Sequence, residues 1–362
     1  MTDLQISEII ISSNDYMNEL AVKTEKVNFA LLTFILSNQN LFNIDTKNLH
    51  QMNIIKRRVK TGEHYEPTYE QKGSTYNGRI FCKVGLCAMS REWRNALAYK
   101  NYVDVDMVNA AFTFALQTAK NYELPYTKLQ DYCDNRDAKC LKWVKTKNEI
   151  AKSAGKSCDI TKGDAKKHYC SKLFKTHKDP MKGSLDHEIK LLQDRVMIEE
   201  PKIVKATEHR MKKEGITYNK KGKVFSHFIF ELENRVLQIA CKYLKDEGYT
   251  IGGSMFDGMY VERKEGLKLD NLNIYLKDVE GINIRFAVKP MTEFPQGITP
   301  ELLDMSKKQI EDAEQEEYEK LRELFENTED VAKIRLKNSF LISRKDDGFW
   351  VSTQALKEIY CD

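Results

Sequence analysis

The stretch VDVDMVNAAFTFALQTAKNY, residues 103–122, constrains the chain most, because its periodicity changes in the middle. Up to Asp106 the side chains alternate with period two, which puts Asp104 and Asp106 on one face of a short strand. Beyond it Val108, Ala111, Phe112, Ala115, Leu116 and Ala119 recur at helical spacing and form one apolar stripe. A carboxylate at such a junction sits at a strand end and projects into solvent or a cleft, where a divalent cation and phosphates can reach it. For a lone aspartate the plainer role is to solvate the strand end and help begin the helix.

A chain of 362 residues can bury a sizeable core and form two or three lobes. With 31% charged and 41% hydrophobic residues it has the composition of a soluble globular protein. No apolar run approaches the roughly 18 residues that span a bilayer. The opening residues lack a basic region before an apolar core, so an intracellular protein with no membrane partner is expected. Eight cysteines without a CxxC pair argue against a zinc site and fit reduced thiols.

The net charge of +4 is unevenly spread. Between Lys139 and Lys182 thirteen lysines face four acids, whereas residues 299–330 carry twelve acids against four basic residues. The first block suits a polyanion, although a solvated lysine-rich surface accounts for it as well.

In chain order, residues 1–75 read as a helical N-terminal segment up to about residue 60, then a loop through Gly78. Residues 76–125 hold the strand GRIFCKVGL, a helix with Arg91 and Arg94, and the strand-helix junction. Arg79, Arg91 and Arg94 are candidates for phosphate contacts, since a guanidinium binds phosphate oxygens in a bidentate fork.

Residues 126–225 read as a basic helical region with Arg136 on its first long helix. The helix in DITKGDAKKHYCSKLF presents Lys162, Lys166 and Tyr169 or Cys170 along one side, with Lys167 beside them. A lysine there can neutralise triphosphate charge and the aromatic can stack on a base, although a solvated basic helix face accounts for the pattern as well. Residues 176–224 are expected to be irregular with short helices. Within residues 226–298, the strongest helix of the chain runs from Phe225 to Glu247 and ends at Gly248. It leads into YTIGGSMFDGMYVERK, where Asp257-Gly258 signals a two-residue hairpin turn. Strand-like pieces fill 266–295, and 299–362 begin with an acidic helix to about Glu326, then a strand-turn-helix unit and a link toward a downstream module.

Two carboxylates brought together from separate strands can hold two Mg²⁺ ions roughly 4 Å apart, which activates an attacking hydroxyl and stabilises leaving pyrophosphate. The order of these pieces also resembles the palm of family A DNA polymerases. Arg79, Arg91 and Arg94 precede a motif A at DMVNAAF, a lysine-bearing helix stands in the place of motif B, and FDGMYVE is similar to motif C. The likeness is closest to the branch found in virophages and large DNA transposons, where a polymerase or primase-polymerase precedes a superfamily-three helicase. VDVDMVNAAF and YCDNRDAKC resemble that branch's D-x-D-x-x-N-A and N-R-E signatures, the second with Asp137 in place of Glu.

The resemblance covers roughly residues 75–265 and implies an α+β fold, with a palm-like antiparallel sheet and helical fingers. It implies template-directed nucleotidyl transfer with two Mg²⁺ ions, which Mn²⁺ could replace, on DNA template and primer with nucleoside triphosphates. Asp106 and Asp257 become the metal pair, Asp104 an auxiliary ligand, and Lys166 or its neighbour Lys167 the cation that neutralises the triphosphate. Asn109 takes the polar position after the motif A aspartate, and Arg79, Arg94 and Arg136 contact template, primer or nucleotide phosphates.

Several positions depart from the family pattern. Gly258 and Phe256 stand where Glu and His are usual, and the motif B helix lacks the family's Arg and Tyr-Gly. Ala111 occupies the bulky sugar-gate position, which opens the site to ribonucleotides or to primer synthesis. The alternatives are a primase or single-subunit RNA polymerase of the same fold, and a catalytically silent nucleic-acid-binding module fused to a helicase.

Overall fold

The computed structural model describes residues 24–59, 63–71, 80–155 and 159–304, with two short strands at Ser343–Lys345 and Gly348–Trp350. It is a mixed arrangement of helices and small antiparallel sheets. Contacts divide the chain into two units that interleave along it, unlike the consecutive blocks read from the sequence. One comprises Met1–Glu25, Pro67–Ala88 and Tyr102–Pro290, and the other Lys26–Glu66, Met89–Asn101 and Met291–Asp362, as far as these are described. No helix among the described residues is long and apolar enough to cross a membrane.

In the first unit β1 (Thr68–Gln71) pairs antiparallel with β2 (Ile80–Val84). The stretch 61–78, expected to be a loop, therefore contributes a strand, because Thr68 and Tyr69 find ladder partners in Val84 and Cys82. Next come β3 (Tyr102–Met107) and helices α1 (Ala110–Asn121), α2 (Thr127–Asp134), α3 (Arg136–Ser153) and α4 (Lys162–Leu173). They are followed by α5 (Leu185–Glu199), α6 (Pro201–Lys213) and α7 (Lys220–Asp246). The unit closes with β4 (Ile251–Met255), β5 (Gly258–Glu262), α8 (Leu269–Asp278) and β6 (Phe286–Lys289). The principal sheet has the order β4-β5-β3-β6 and is antiparallel throughout.

Helix α7 is the spine of this unit, and α1, α5, α6 and α8 pack against it. Phe225, Phe228, Ile229, Leu232, Val236, Leu237 and Leu244 are buried along it, each contributing about 1.5–3 kcal/mol through apolar area removed from water. The helix starts five residues before the expected Phe225. Asn219, in the left-handed region at φ 56°, donates from Nδ2 to the Phe174 carbonyl at 3.0 Å and accepts from the Thr176 amide at 2.7 Å. Gly222 lets that carbonyl lie against the first turn, where a β-carbon would collide with it.

Two further expectations give way to regular helix. Within residues 176–224 lie α5, α6 and the start of α7, because Ile189, Leu192 and Val196, and then Ile203, Thr207 and Met211, repeat at three-to-four spacing and are buried. Within 266–295, Leu272 and Leu276 lie one helical turn apart in the core, so α8 is helical and only β6 is a strand there. Of the expected acidic helix, Pro300–Leu303 is described, and the remainder lies outside the described residues.

Helix α2 owes its position to Glu188. This carboxylate is 3% exposed and accepts from the amides of Lys128 and Leu129, each at 2.9 Å, capping α2 from another helix. Glu188→Ala leaves those buried donors without an acceptor and should lower the unfolding free energy by about 2–3 kcal/mol in urea titrations. Glu188→Gln retains one acceptor oxygen and should lose roughly half as much.

In the second unit, the helices Phe29–Ser37, Thr46–Arg58 and Arg91–Ala98 carry a core that includes Leu31, Ile35, Met52, Ile55 and Trp93. Phe42 packs edge-on against Phe34 and Trp93, with ring centroids 6.3 and 6.1 Å apart.

Candidate active site

Strand β3 lies between β5 and β6, and its last residues form the floor of the site. Asp106 is opposite Gly258 on one side and Ala287 on the other. The Met107 amide donates to the Asp257 carbonyl at 2.8 Å, so the backbones bearing the two aspartates are directly bonded. Asn109 then adopts the left-handed conformation at φ 56°, which ends the strand and starts α1 within three residues of Asp106. Asparagine is among the few residues that take this conformation readily, and its Nδ2 reaches Cys133 Sγ at 3.8 Å.

The β4-β5 turn differs from the sequence expectation. Met255 pairs with Gly258, so the turn residues are Phe256 and Asp257, and Gly258 is already the first residue of β5. The glycine is needed for a different reason: a β-carbon there would overlap Asp106 Oδ1 and stand 3.0 Å from the Val105 carbonyl. The carboxylate thus lies across a strand that has no side chain to obstruct it. Phe256 takes the strained position at φ 49°, stays 46% exposed and meets the Phe81 ring edge-on at 5.9 Å.

Asp106, Asn109, Ala111 and Asp257 line a cavity of about 540 Å³. Arg136 from the start of α3 and Lys166 from α4 line it too. Their nearness is costly. The Lys166 ammonium is held below its ordinary pKa first by partial burial and then by the charges of Arg136 and Lys162, with Asp137 opposing. Cations crowded at a cavity wall are better neutralised by an anionic occupant than by solvent.

The other predicted residues lie elsewhere. Lys162 is bonded to Asp137 at 2.9 Å, and Lys167, 84% exposed, stands 3.8 Å from Asp164. Tyr169 packs on Tyr132, which in turn packs on Phe112, with centroids 4.7 and 4.0 Å apart, so it serves the core and not the cavity. Asp104 is buried in the sheet opposite Tyr260 and Lys289, away from the cavity wall, which leaves Asp106 as the accessible member of the strand pair. Arg91 and Arg94 belong to the second unit, where Arg91 is bonded to Glu293 at 2.9 Å. Arg79 lies outside the described residues.

Sequence reasoning missed Phe230, Glu233 and Lys289, all of which line the cavity. Glu233 was detectable, since a carboxylate next to Leu232 in an otherwise apolar helix stripe is unusual, and it is only 3% exposed. Lys289 was not detectable without the strand register. It lies diagonally across from Asp106 on the same sheet face, and its ammonium is bonded to Asp106 Oδ2.

No protein-family model matches the chain, and no curated protein matches it.

Proposed function

We propose that the chain is a template-directed nucleotidyl transferase, a DNA polymerase or primase-polymerase like those of family A, serving replication of a viral or mobile element. One observation carries this reading. Asp106, on β3, and Asp257, in the turn that leads into the neighbouring β5, are roughly 150 positions apart in sequence and share a cavity with Arg136 and Lys166. That combination supports acids for metal on a palm-like sheet, and cations for phosphate on a fingers-like helical region.

The donor set suits magnesium, which is commonly held by one or two carboxylates together with substrate phosphates and water. Asp106 and Asp257 would hold it, although no group of three or more His, Cys, Asp or Glu among the described residues could hold a metal by itself. Bound there, the ion would lower the pKa of an attacking 3′-hydroxyl and offset charge on departing pyrophosphate. Arg136 and Lys166 would hold the triphosphate by charge and hydrogen bonding. Ala111, at the cavity wall, leaves open space where a bulky residue would exclude a ribose 2′-hydroxyl. DNA, nucleoside triphosphates and a superfamily-three helicase module are the partners this reading implies.

The ion pair between Lys289 and Asp106 favours a second reading, in which the carboxylates are structural and the chain binds nucleic acid without catalysis. Extension of a labelled primer on a DNA template with Mg²⁺, run with dNTPs, with NTPs and without primer, separates the two. Incorporation that tolerates ribonucleotides is expected. Salt-sensitive DNA binding without incorporation in any arm establishes the silent module instead.

The state of Lys166 gives the site a pH dependence. A cation whose pKa is lowered loses its proton at a lower pH than an ordinary lysine, so the alkaline fall in affinity for inorganic triphosphate should begin at a lower pH than an ordinary lysine would give. Lys166→Arg keeps its charge and should move that fall to higher pH, as isothermal titration of both proteins would show.

A further inference from the structure

Lys289 is the feature of the cavity that the polymerase reading does not use. It ends β6 just before Pro290, and both residues line the cavity. Register places Lys289 opposite Asp104 and one pleat from Ala287, which faces Asp106, so its side chain slants across the sheet to the Asp106 carboxylate. The two side chains are 38% and 24% exposed, so the pair is open to water and to solutes at the cavity mouth. Gly258 removes the obstruction on the other side of the same carboxylate. Asp106 is therefore reachable by a cation, and one cation of the chain already sits on it.

We propose that Lys289 is a resident cation that competes with divalent metal for Asp106. Without metal, its ammonium neutralises the carboxylate and holds it in place across Gly258. A metal ion binds by displacing the ammonium, which remains at the cavity wall and becomes a third positive group for a phosphate, beside Arg136 and Lys166. The metal site is accordingly weak until an anionic substrate arrives to take up the released lysine, so metal and triphosphate bind cooperatively. This inference rests on the reading of Asp106 and Asp257 as metal ligands.

The test uses the full chain stripped of metal, with free Mn²⁺ followed by electron paramagnetic resonance and no nucleotide present. Lys289→Met should bind Mn²⁺ about two- to fivefold more tightly than the unaltered protein, the factor expected for losing a partly exposed ion pair. Lys289→Arg, which keeps the charge, should not. Inorganic triphosphate should also tighten Mn²⁺ binding in the unaltered protein and do so less in Lys289→Met.

Mn²⁺ binding that is abolished by Asp106→Asn but unchanged or weakened by Lys289→Met overturns the competition and leaves the metal-site reading standing. Absence of Mn²⁺ binding in the unaltered chain and in Lys289→Met overturns both. A measurement without substitution guards against a variant that does not fold. Acetylation of Lys289, read by mass spectrometry, should increase several-fold when Mn²⁺ is added, and unchanged reactivity overturns displacement.

Discussion

Asp257→Asn is expected to abolish primer extension while leaving the folded structure and DNA binding in place. The backbone carbonyl of Asp257 still accepts from Met107, and asparagine has nearly the same shape, so the thermal midpoint should shift little. What disappears is the charge of one of the two carboxylates proposed to hold the metal at the cavity. Loss of metal stabilisation worth several kcal/mol corresponds to a fall in rate on the order of 10³-fold or more. Single-turnover incorporation measured beside circular dichroism and a DNA-binding isotherm checks all three parts. Undiminished synthesis by this variant would remove the central claim about the site.

Gly258→Ala should be nearly as damaging, although it adds only one methyl group. That methyl would occupy the place of Asp106 Oδ1, so either the carboxylate swings out of the cavity or β5 moves away from β3. Overpacking of this kind costs about 1–3 kcal/mol of stability, readable in urea titrations, and activity falls because the metal-binding oxygen is displaced. Asp106→Ala in the same chain removes the opposing group, so the double variant should regain most of the lost stability while remaining inactive. If Gly258→Ala proved as stable and active as the unaltered protein, the close approach would have no consequence.

Much of this site could be read along the chain because its parts announce themselves locally. The change from period two to helical spacing at Asp106 marked the strand end, and the cavity wall begins there. Lys166 and Arg136 could be named because they fall within strongly helical, strongly basic stretches. The misses arise where meaning depends on a distant partner. Gly258 read as a turn residue because Asp-Gly is a common turn pair, but its role is set by a carboxylate from another strand.

Asp104 and Asp106 were equivalent by periodicity, and only the neighbouring strands and helices bury one and open the other. Tyr169 read as an aromatic for stacking on a base, but Tyr132 and Phe112 supply a core for it. The helices at 185–213 were obscured by their charge, since half of each helix is solvated and the apolar repeat is sparse.

The order of strands in the main sheet also has a consequence for synthesis of the protein. The partners of β3 are residues 258–262 and 286–289, so the last of them leaves the ribosome roughly 180 residues after β3 itself. At about 5–20 residues per second this is an interval of about 10 to 40 seconds. Until residues 258–262 emerge, roughly 150 residues after β3, Asp106 has neither strand neighbour, and β3 presents two unpaired edges. The basic helices through residue 173 are complete well before then. On the proposed reading, a nascent or truncated chain has its basic helices before its paired acids, and it should cling to nucleic acid without the means to act on it.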